Sequence, residues 1–356
     1  MDRSTANRID ELLLNSGLFP FKTQVKTKPE SFDFSNETIL VTGAAGTVGS
    51  EISKQLVSSR FKRLILLDMA ESPLYSLIKD LEFEDTEHVD FKLLNLRNEA
   101  SMTFLFETYR PTIVFHTAAY KHVPMMEQNP YEAVKTNVFG TKLLADLSIK
   151  YHVKTFVFIS TDKAVNPINI MGTSKLIGER YLNQLNVKSN TQFLITRFGN
   201  ILGSNGSVVP LFKSQIESGN PITITDPSAS RYFINKQKAC LLILKIAKNS
   251  RAKDNFYTFN MGAPIKIADI AKRLILLYDG LIKKPDIKFT SLRSGEKSHE
   301  DIVAGDETLV PLDNDIFLIK HQVEPKIQKT IDFAQLNTIT PFTSHSKIQS
   351  ILANYF

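Results

Sequence analysis

The sequence predicts an α/β protein built on a doubly wound parallel sheet, with a smaller C-terminal α+β domain. Three observations predict it. From residue 38 to 196, short apolar or β-branched runs alternate with longer helical patterns, as a parallel sheet with right-handed crossovers requires. The first such run leads straight into Gly43-Ala44-Ala45-Gly46-Thr47-Val48-Gly49 and then a helical pattern, the strand, turn and helix order of a Rossmann-like unit. At 356 residues the chain is also long enough for two structural units.

Residues 1–36 are polar, carry Lys28-Pro29 and end at the first strand, which marks a domain edge. Thr38-Ile39-Leu40-Val41 and Leu64-Ile65-Leu66-Leu67 are continuous apolar runs, the mark of strands covered on both faces. The full set of strands is expected at 38–41, 63–67, 90–94, 112–115, 155–159 and 192–196. Helices are expected between them at 49–58, 72–84, 99–109, 130–151 and 172–185. After Arg197 the texture shifts to Gly, Pro, Ser and short segments, and only 236–248 and 268–278 read clearly as helices. The expected division is therefore an N-terminal segment at 1–36, a dinucleotide-binding domain at 37–200 to which 236–262 returns, and a substrate domain and tail at 201–235 and 263–356. Repeats and low-complexity tracts are absent from the sequence.

Composition narrows the partners. Lys and Arg number 43 against 37 Asp and Glu, and the surplus of +6 falls entirely between residues 37 and 270, where 27 basic side chains meet 21 acidic ones. It is not a basic tail, and no basic run is interleaved with aromatics, so nucleic acid is not the expected partner. No basic amphipathic helix or run of about 18 apolar residues points to a membrane. The start has no apolar core of signal-peptide length. The lone Cys240 rules out an intramolecular disulfide or a thiolate metal cluster and suits a reducing compartment. A cytoplasmic, metal-free protein that binds small phosphorylated ligands is the expectation.

The glycine-rich turn supplies the first binding residues. Gly43 permits the tight turn, Gly46 a close backbone approach to a pyrophosphate and Gly49 close helix packing, while Thr47 and Val48 open the helix whose N–H groups face the phosphates. The next strand ends at Asp68, 25 residues beyond Gly43, where a carboxylate accepts from an adenosine ribose and repels a 2′-phosphate. NAD is expected over NADP.

The strand at 155–159 runs into Ser160-Thr161-Asp162-Lys163-Ala164-Val165-Asn166-Pro167, then a helix carrying Met171-Gly172-Thr173-Ser174-Lys175. Ligands in open α/β sheets sit beyond the carboxyl ends of strands, so a hydroxyl, a carboxylate and an ammonium would meet there, with Met171 and Lys175 on one helix face. These motifs resemble extended short-chain dehydrogenases/reductases acting on nucleotide sugars. Their usual Tyr-x-x-x-Lys is here Met171 to Lys175, and a thioether accepts no proton. The combination is similar to the retaining, methionine-bearing UDP-N-acetylglucosamine 4,6-dehydratases of the polysaccharide-biosynthesis family. His116-Thr117-Ala118-Ala119-Tyr120-Lys121-His122, Asn137-Val138-Phe139-Gly140-Thr141, Arg197-Phe198-Gly199-Asn200, Arg231-Tyr232-Phe233 and Arg293-Ser294-Gly295-Glu296-Lys297 extend the resemblance over roughly 37–312.

The resemblance implies an internal redox dehydration: hydride leaves C4 of the hexose, water is lost across C5 and C6, and hydride returns to C6. It implies Asp162 as acid for the departing hydroxyl, Lys163 as C5 base, Thr161 on the C4 oxygen, Met171 in the tyrosine's place and Lys175 on the nicotinamide ribose. Ala118 and Ala119 would border the cofactor. Lys121, His122, Asn137, Asn200, Arg231, Arg293 and Glu296 would face a UDP-sugar, with Arg197 a further candidate for the diphosphate. A base role asks Lys163 to be neutral, from a reference pKa of about 10.4, and Lys175 is the expected positive neighbour. Ser294 and His299-Glu300-Asp301 depart from the family pattern and are expected to lie outside the chemistry, while residues 1–36 stand where long members carry a membrane-spanning region. The tail after about 313 matches no motif. A homo-oligomer is expected. Two other readings stay open: a nucleotide-sugar epimerase of the same fold, which would normally keep the tyrosine, and an inactive scaffold binding NAD or nucleotide sugar.

Overall fold

The computed structural model describes residues 1–19, 30–249, 255–278, 285–321 and 331–355; Lys28-Pro29 lies outside them. After α1 (Arg3–Leu14), strand and helix alternate as β1 (Asp33–Thr42), α2 (Thr47–Val57), β2 (Arg60–Asp68), α3 (Glu71–Asp80), β3 (Val89–Leu93), α4 (Glu99–Tyr109) and β4 (Ile113–His116). The next crossover holds α5 (Val123–Gln128), α6 (Pro130–Ala133), a π-helical stretch at Val134–Gly140 and α7 (Thr141–Lys150), before β5 (Thr155–Ile159), α8 (Ile170–Asn186) and β6 (Gln192–Thr196). Then follow β7 (Asn200–Ile201), α9 (Val208–Glu217), β8 (Ile222–Ile224), β9 (Ser230–Arg231), β10 (Phe233–Ile234), α10 (Lys236–Asn249) and β11 (Phe256–Phe259). The chain closes with β12 (Ile265–Lys266), α11 (Ile267–Leu277), β13 (Ile287–Phe289), β14 (Glu307–Pro311), β15 (Ile316–His321), α12 (Phe333–Asn337) and α13 (His345–Leu352).

Among the described residues nine strands form one sheet, in the order β14-β15-β11-β6-β5-β4-β1-β2-β3. β1 lies between β2 and β4, parallel to both, so the strand order reverses there and leaves a crevice at the carboxyl ends. The apolar run of β1 serves both faces. Ile39 and Val41 join Ile52 and Leu56 of α2 and Ile243 of α10; Leu40, between them, joins Leu105 of α4, Leu144 of α7 and Leu182 of α8. That alternation follows from the two-residue period of a strand, and it makes a continuous apolar sequence necessary.

A second core lies beside the sheet, where Ile9 and Leu13 of α1 pack with Val209 and Phe212 of α9 and Ile270 and Leu274 of α11. Arg273 of α11 bonds to Asp10 of α1. The sequence reading grouped residues 263–356 with this second unit, but β14 and β15 extend the large sheet, β15 pairing antiparallel with β11. Hydrogen bonding along a free sheet edge wins over chain order. Ile348, Ile351 and Leu352 of α13 cover the outer side of α8 near Ile177.

Two helix expectations need correction. The helix expected at 130–151 is interrupted by the π stretch at Val134–Gly140, where one extra residue per turn turns Asn137 toward the Tyr120 backbone and Gly140 against Leu96. α9 was missed, because Pro210 and the Gly and Ser before it read as loop; a proline is tolerated in a helix's first turn. Among the described residues no helix is long and apolar enough to cross a membrane.

His116 ends β4 fully buried, its ring nitrogens 2.8 Å from Thr42 Oγ1 and 2.9 Å from Thr141 Oγ1. Burial first, then the Lys175 charge, lowers its pKa from 6.5 to about 3. The unfolded chain therefore binds a proton below pH 6.5 that the folded chain refuses until about pH 3. Stability should fall as pH drops through that window, by roughly 1.4 kcal/mol per unit. Denaturant unfolding across this range should show the loss, with a shallower slope in His116→Gln.

Candidate active site

The phosphate end is shaped by backbone contact. Gly43 has φ +68°, and a Cβ there would lie 2.7 Å from the Ala118 backbone. A Cβ on Gly49 would lie 2.1 Å from the Gly43 carbonyl oxygen. The turns after β1 and β4, with the start of α2, therefore touch through backbone alone. Gly46 precedes α2 with no side-chain cap, which leaves the first-turn N–H groups to an anion. Asp68 accepts from Ala45 N and Ala70 N, both at 3.0 Å, and this fixes its carboxylate beside the glycine turn. Thr47 accepts from Asn205 N at 3.2 Å, and the His122 ring packs over Gly206, so the loop after β7 roofs the crevice. These residues fit a dinucleotide.

The chemical end grows from β5. Asp162 N donates to Phe198 O at 3.1 Å, which ties the turn after β5 to the segment after β6. Thr161 Oγ1 donates to Asp162 Oδ1 at 2.9 Å and accepts from Lys163 N at 3.3 Å. Lys163 Nζ donates to Asp162 Oδ1 at 2.9 Å and to Asn200 Oδ1 at 3.3 Å. Asp162 is fully buried, and its Oδ2 has no partner among the described residues. Gly172 explains how α8 comes so near: a Cβ there would lie 2.1 Å from Lys163 O. Met171 is 3% exposed within an apolar cluster that includes Val138 and Ile177; it fills space and donates nothing.

Lys175 is buried with its Nζ 3.8 Å from the centre of the Phe158 ring. Burial lowers its pKa from 10.5 to about 7, opposed by the Glu179 carboxylate. The sequence reading looked to Lys175 for the positive charge beside Lys163. The lysine coupled to Lys163 is instead Lys121, which is exposed by area yet crowded by protein at its ammonium; that desolvation, then the Lys163 charge, lowers its pKa. His122 shifts down likewise, by desolvation and then by Lys121.

Asn200, Arg231, Arg293 and Glu296 line one cavity of about 200 Å³, together with Thr225 and Phe212. Arg231 spends part of its fork on the carbonyls of Ser230, Lys297 and Ser298 at 2.6–2.8 Å. Glu296 accepts from Thr225 Oγ1 and Arg293 N, both at 3.2 Å. The Arg293 guanidinium is exposed and makes no hydrogen bond among the described residues.

Two expected contacts fail. Asn137 is 1% exposed, and its amide is spent on Tyr120 N, Tyr120 O and Ser174 Oγ, each at 2.9 Å; it braces the loop of Ala118, Ala119 and Lys121 and does not face a sugar. Arg197 is also buried, bonded to Glu179 at 2.8 and 3.2 Å, Glu307 at 2.7 Å and Ile302 O at 3.1 Å, so no diphosphate reaches it. One residue expected to lie outside the chemistry stands beside Lys163. Glu300 Oε1 lies 3.6 Å from Lys163 Nζ, because Lys297 Nζ donates to Val165 O and Asn169 Nδ2 to Gly295 O, both at 2.9 Å, drawing this segment onto the Asp162–Lys163 turn. The available signal was its position three residues after Lys297 in a stretch already assigned to substrate.

The polysaccharide biosynthesis protein family matches residues 39–321. The chain belongs to that family. It is 39% identical over 305 residues, 85% of its length, to the probable polysaccharide biosynthesis protein EpsC of Bacillus subtilis, but spans 51% of that relative. A UDP-glucose 4-epimerase of Rickettsia canadensis is 30% identical over 326 residues, 86% of this chain and 92% of that one. Among solved structures, Pen from Bacillus thuringiensis superposes with a TM-score of 0.74 at 31% identity, covering 82% of this chain and 91% of the other.

Arg197→Met should leave Glu179 and Glu307 buried without their cation, a loss of roughly 3–5 kcal/mol. Chemical denaturation should detect it, and a wild-type stability would refute the bracing role.

Proposed function

We propose that this chain is an NAD-dependent nucleotide-sugar 4,6-dehydratase that converts UDP-N-acetylglucosamine to a UDP-4-keto-6-deoxy-N-acetylhexosamine for surface polysaccharide or glycan synthesis. The observation that carries the reading is the pairing of Asp162 with Lys163 at the crevice, beside Met171 buried where an acid–base tyrosine would otherwise stand. An epimerase needs only C4 chemistry. A dehydratase needs in addition an acid for the C6 hydroxyl and a base for the C5 proton, and the turn after β5 offers one of each.

The glycine turn, the α2 N-terminus, Asp68 and Lys175 would hold the dinucleotide. Bound NAD supplies reversible hydride storage. Ala118 and Ala119 border it from the turn after β4, where Ala118 meets Gly43. Lys175 has no hydrogen-bond acceptor among the described residues and is free to donate to a ribose hydroxyl. Thr161 hydrogen-bonds the C4 oxygen, Asp162 protonates the departing C6 hydroxyl and Lys163 takes the C5 proton. Asn200 orients Lys163, while Arg231, Arg293 and Glu296 receive the UDP portion, a guanidinium being suited to phosphate. The loop over Thr47 and His122 keeps water from the reacting carbons. The Rickettsia likeness keeps the epimerase as the rival reading; loss of the tyrosine is the observation against it.

Incubation with UDP-N-acetylglucosamine in deuterated water, followed by NMR, should give a 4-keto-6-deoxy sugar with deuterium at C5; C4 inversion alone would overturn the dehydratase reading. Asp162→Asn and Lys163→Met should each lower turnover by roughly 10²-fold or more, and near wild-type dehydration by either would overturn its assigned role. Arg293→Ala should raise KM by about tenfold or more, the worth of one charge-assisted bond, and leave the melting temperature unchanged.

A further inference from the structure

The three charges at the end of β5 are crowded in an unusual way. Lys163 lies between two carboxyl groups, Asp162 at 2.9 Å and Glu300 at 3.6 Å. Both carboxyl side chains are almost wholly buried, and each has one oxygen, Asp162 Oδ2 and Glu300 Oε2, without a hydrogen-bond partner among the described residues. Lys297 stands 3.9 Å from Glu300 and is already bonded to Val165 O. Lys163 is thus the one ammonium among the described residues within 4 Å of both carboxyl groups, Lys297 reaching Glu300 alone, and a buried carboxyl group close to a second one is the kind that takes up a proton.

We infer that Glu300 is the proton partner of Lys163: it takes the ammonium proton before C5–H is attacked and passes it to Asp162 afterwards. The inference rests on the dehydratase reading and deepens it. An amine that takes a proton from carbon must first be neutral, against a reference pKa of about 10.4, and Glu300 Oε1 is the acceptor Lys163 Nζ faces besides Asp162 and Asn200.

The protons balance. The group starts as Lys163 ammonium, Glu300 carboxylate and Asp162 carboxylic acid. A proton moves from Nζ to Glu300. The neutral amine then removes the C5 proton while Asp162 protonates the C6 hydroxyl, so that the C5–H and C6–O bonds break, a C5–C6 double bond forms and water leaves. Glu300 returns its proton to Asp162, and the three groups end as they began. Burial is the largest influence on Glu300 and raises its pKa; Lys163 opposes, Asp162 adds to the rise, and Arg231 and Lys297 oppose. Those four are the charged groups that set its affinity for the proton. Glu300 acts through Lys163 and Asp162, and so is a positioning and proton-holding residue without contact to the sugar.

The test measures solvent-deuterium entry at C5, kcat and KM for UDP-N-acetylglucosamine in wild type, Glu300→Gln, Glu300→Asp and Glu300→Ala, the last with and without formate. Glu300→Gln should slow C5 exchange and kcat by roughly 10²-fold with KM unchanged. Glu300→Asp should recover part of the rate, and formate should rescue Glu300→Ala. Wild-type exchange in Glu300→Gln, or equal losses in kcat and substrate affinity in all three variants without rescue, would overturn the relay and leave the dehydratase reading intact. No C5 exchange by the wild-type protein would overturn that reading, and the relay with it. Should Glu300→Gln fail to fold, the Glu300→Asp rate and the formate rescue decide the same question.

Discussion

The chemical end of this molecule is organised around a buried guanidinium. Arg197, just past β6, bonds Glu179 of α8 on one side and Glu307 of β14 on the other. Glu179 also accepts from Ser160 Oγ at the end of β5, so a single charge network joins two neighbouring strand ends, the helix beside them and the sheet's antiparallel edge. Phe198, the next residue, anchors Asp162 through its carbonyl. One turn before Glu179, on the same face of α8, is Lys175, whose proton affinity is set by burial against that carboxylate. Displacing Arg197 would therefore disturb the anchor of the Asp162 turn and the electrostatics of Lys175 together.

Around that frame two forces compete. Desolvation disfavours charge on Lys175, His116 and Glu300, while neighbouring charges act selectively. His116 sits between the Thr42 and Thr141 hydroxyls beside aromatic rings, and burial together with the Lys175 charge holds it neutral. Lys163, by contrast, has carboxyl groups on two sides. Such an arrangement is a poor way to add stability, since each buried ion costs solvation that its partners only partly return. Its value lies in placing two carboxyl oxygens within reach of a single ammonium.

Much of the fold was legible because a parallel sheet buries its strands on both faces, so apolar runs such as Thr38-Ile39-Leu40-Val41 cannot be mistaken for amphipathic helix. Glycine spacing revealed the turn because Gly43 and Gly49 answer to backbone contacts fixed within the same unit. Other features depended on partners far along the chain. Arg197 looked like a phosphate ligand until Glu179 and Glu307 were placed beside it, and Asn137 looked like a sugar contact until its amide was found spent on Tyr120 and Ser174. Glu300 was hidden for the opposite reason. It stands 137 positions after Lys163, and only the folding of its segment onto Val165 and Asn169 brings the two together. The π turn in the β4–β5 crossover likewise has no periodic signature over so short a stretch.

Gly172 carries a consequence for how such a protein can change over generations. The distance between the Asp162–Lys163 turn and α8 is fixed by a carbonyl oxygen against a bare Cα, a ruler made of main chain that side-chain drift does not rescale. The cavity of Asn200, Arg231, Arg293 and Glu296 has no such ruler; its walls are side chains drawn from β7, β9 and the segment after β13. Mutation can thus reshape that cavity while the Asp162–Lys163 turn keeps its spacing from α8, so that selection can alter what the cavity admits without moving the turn beside it.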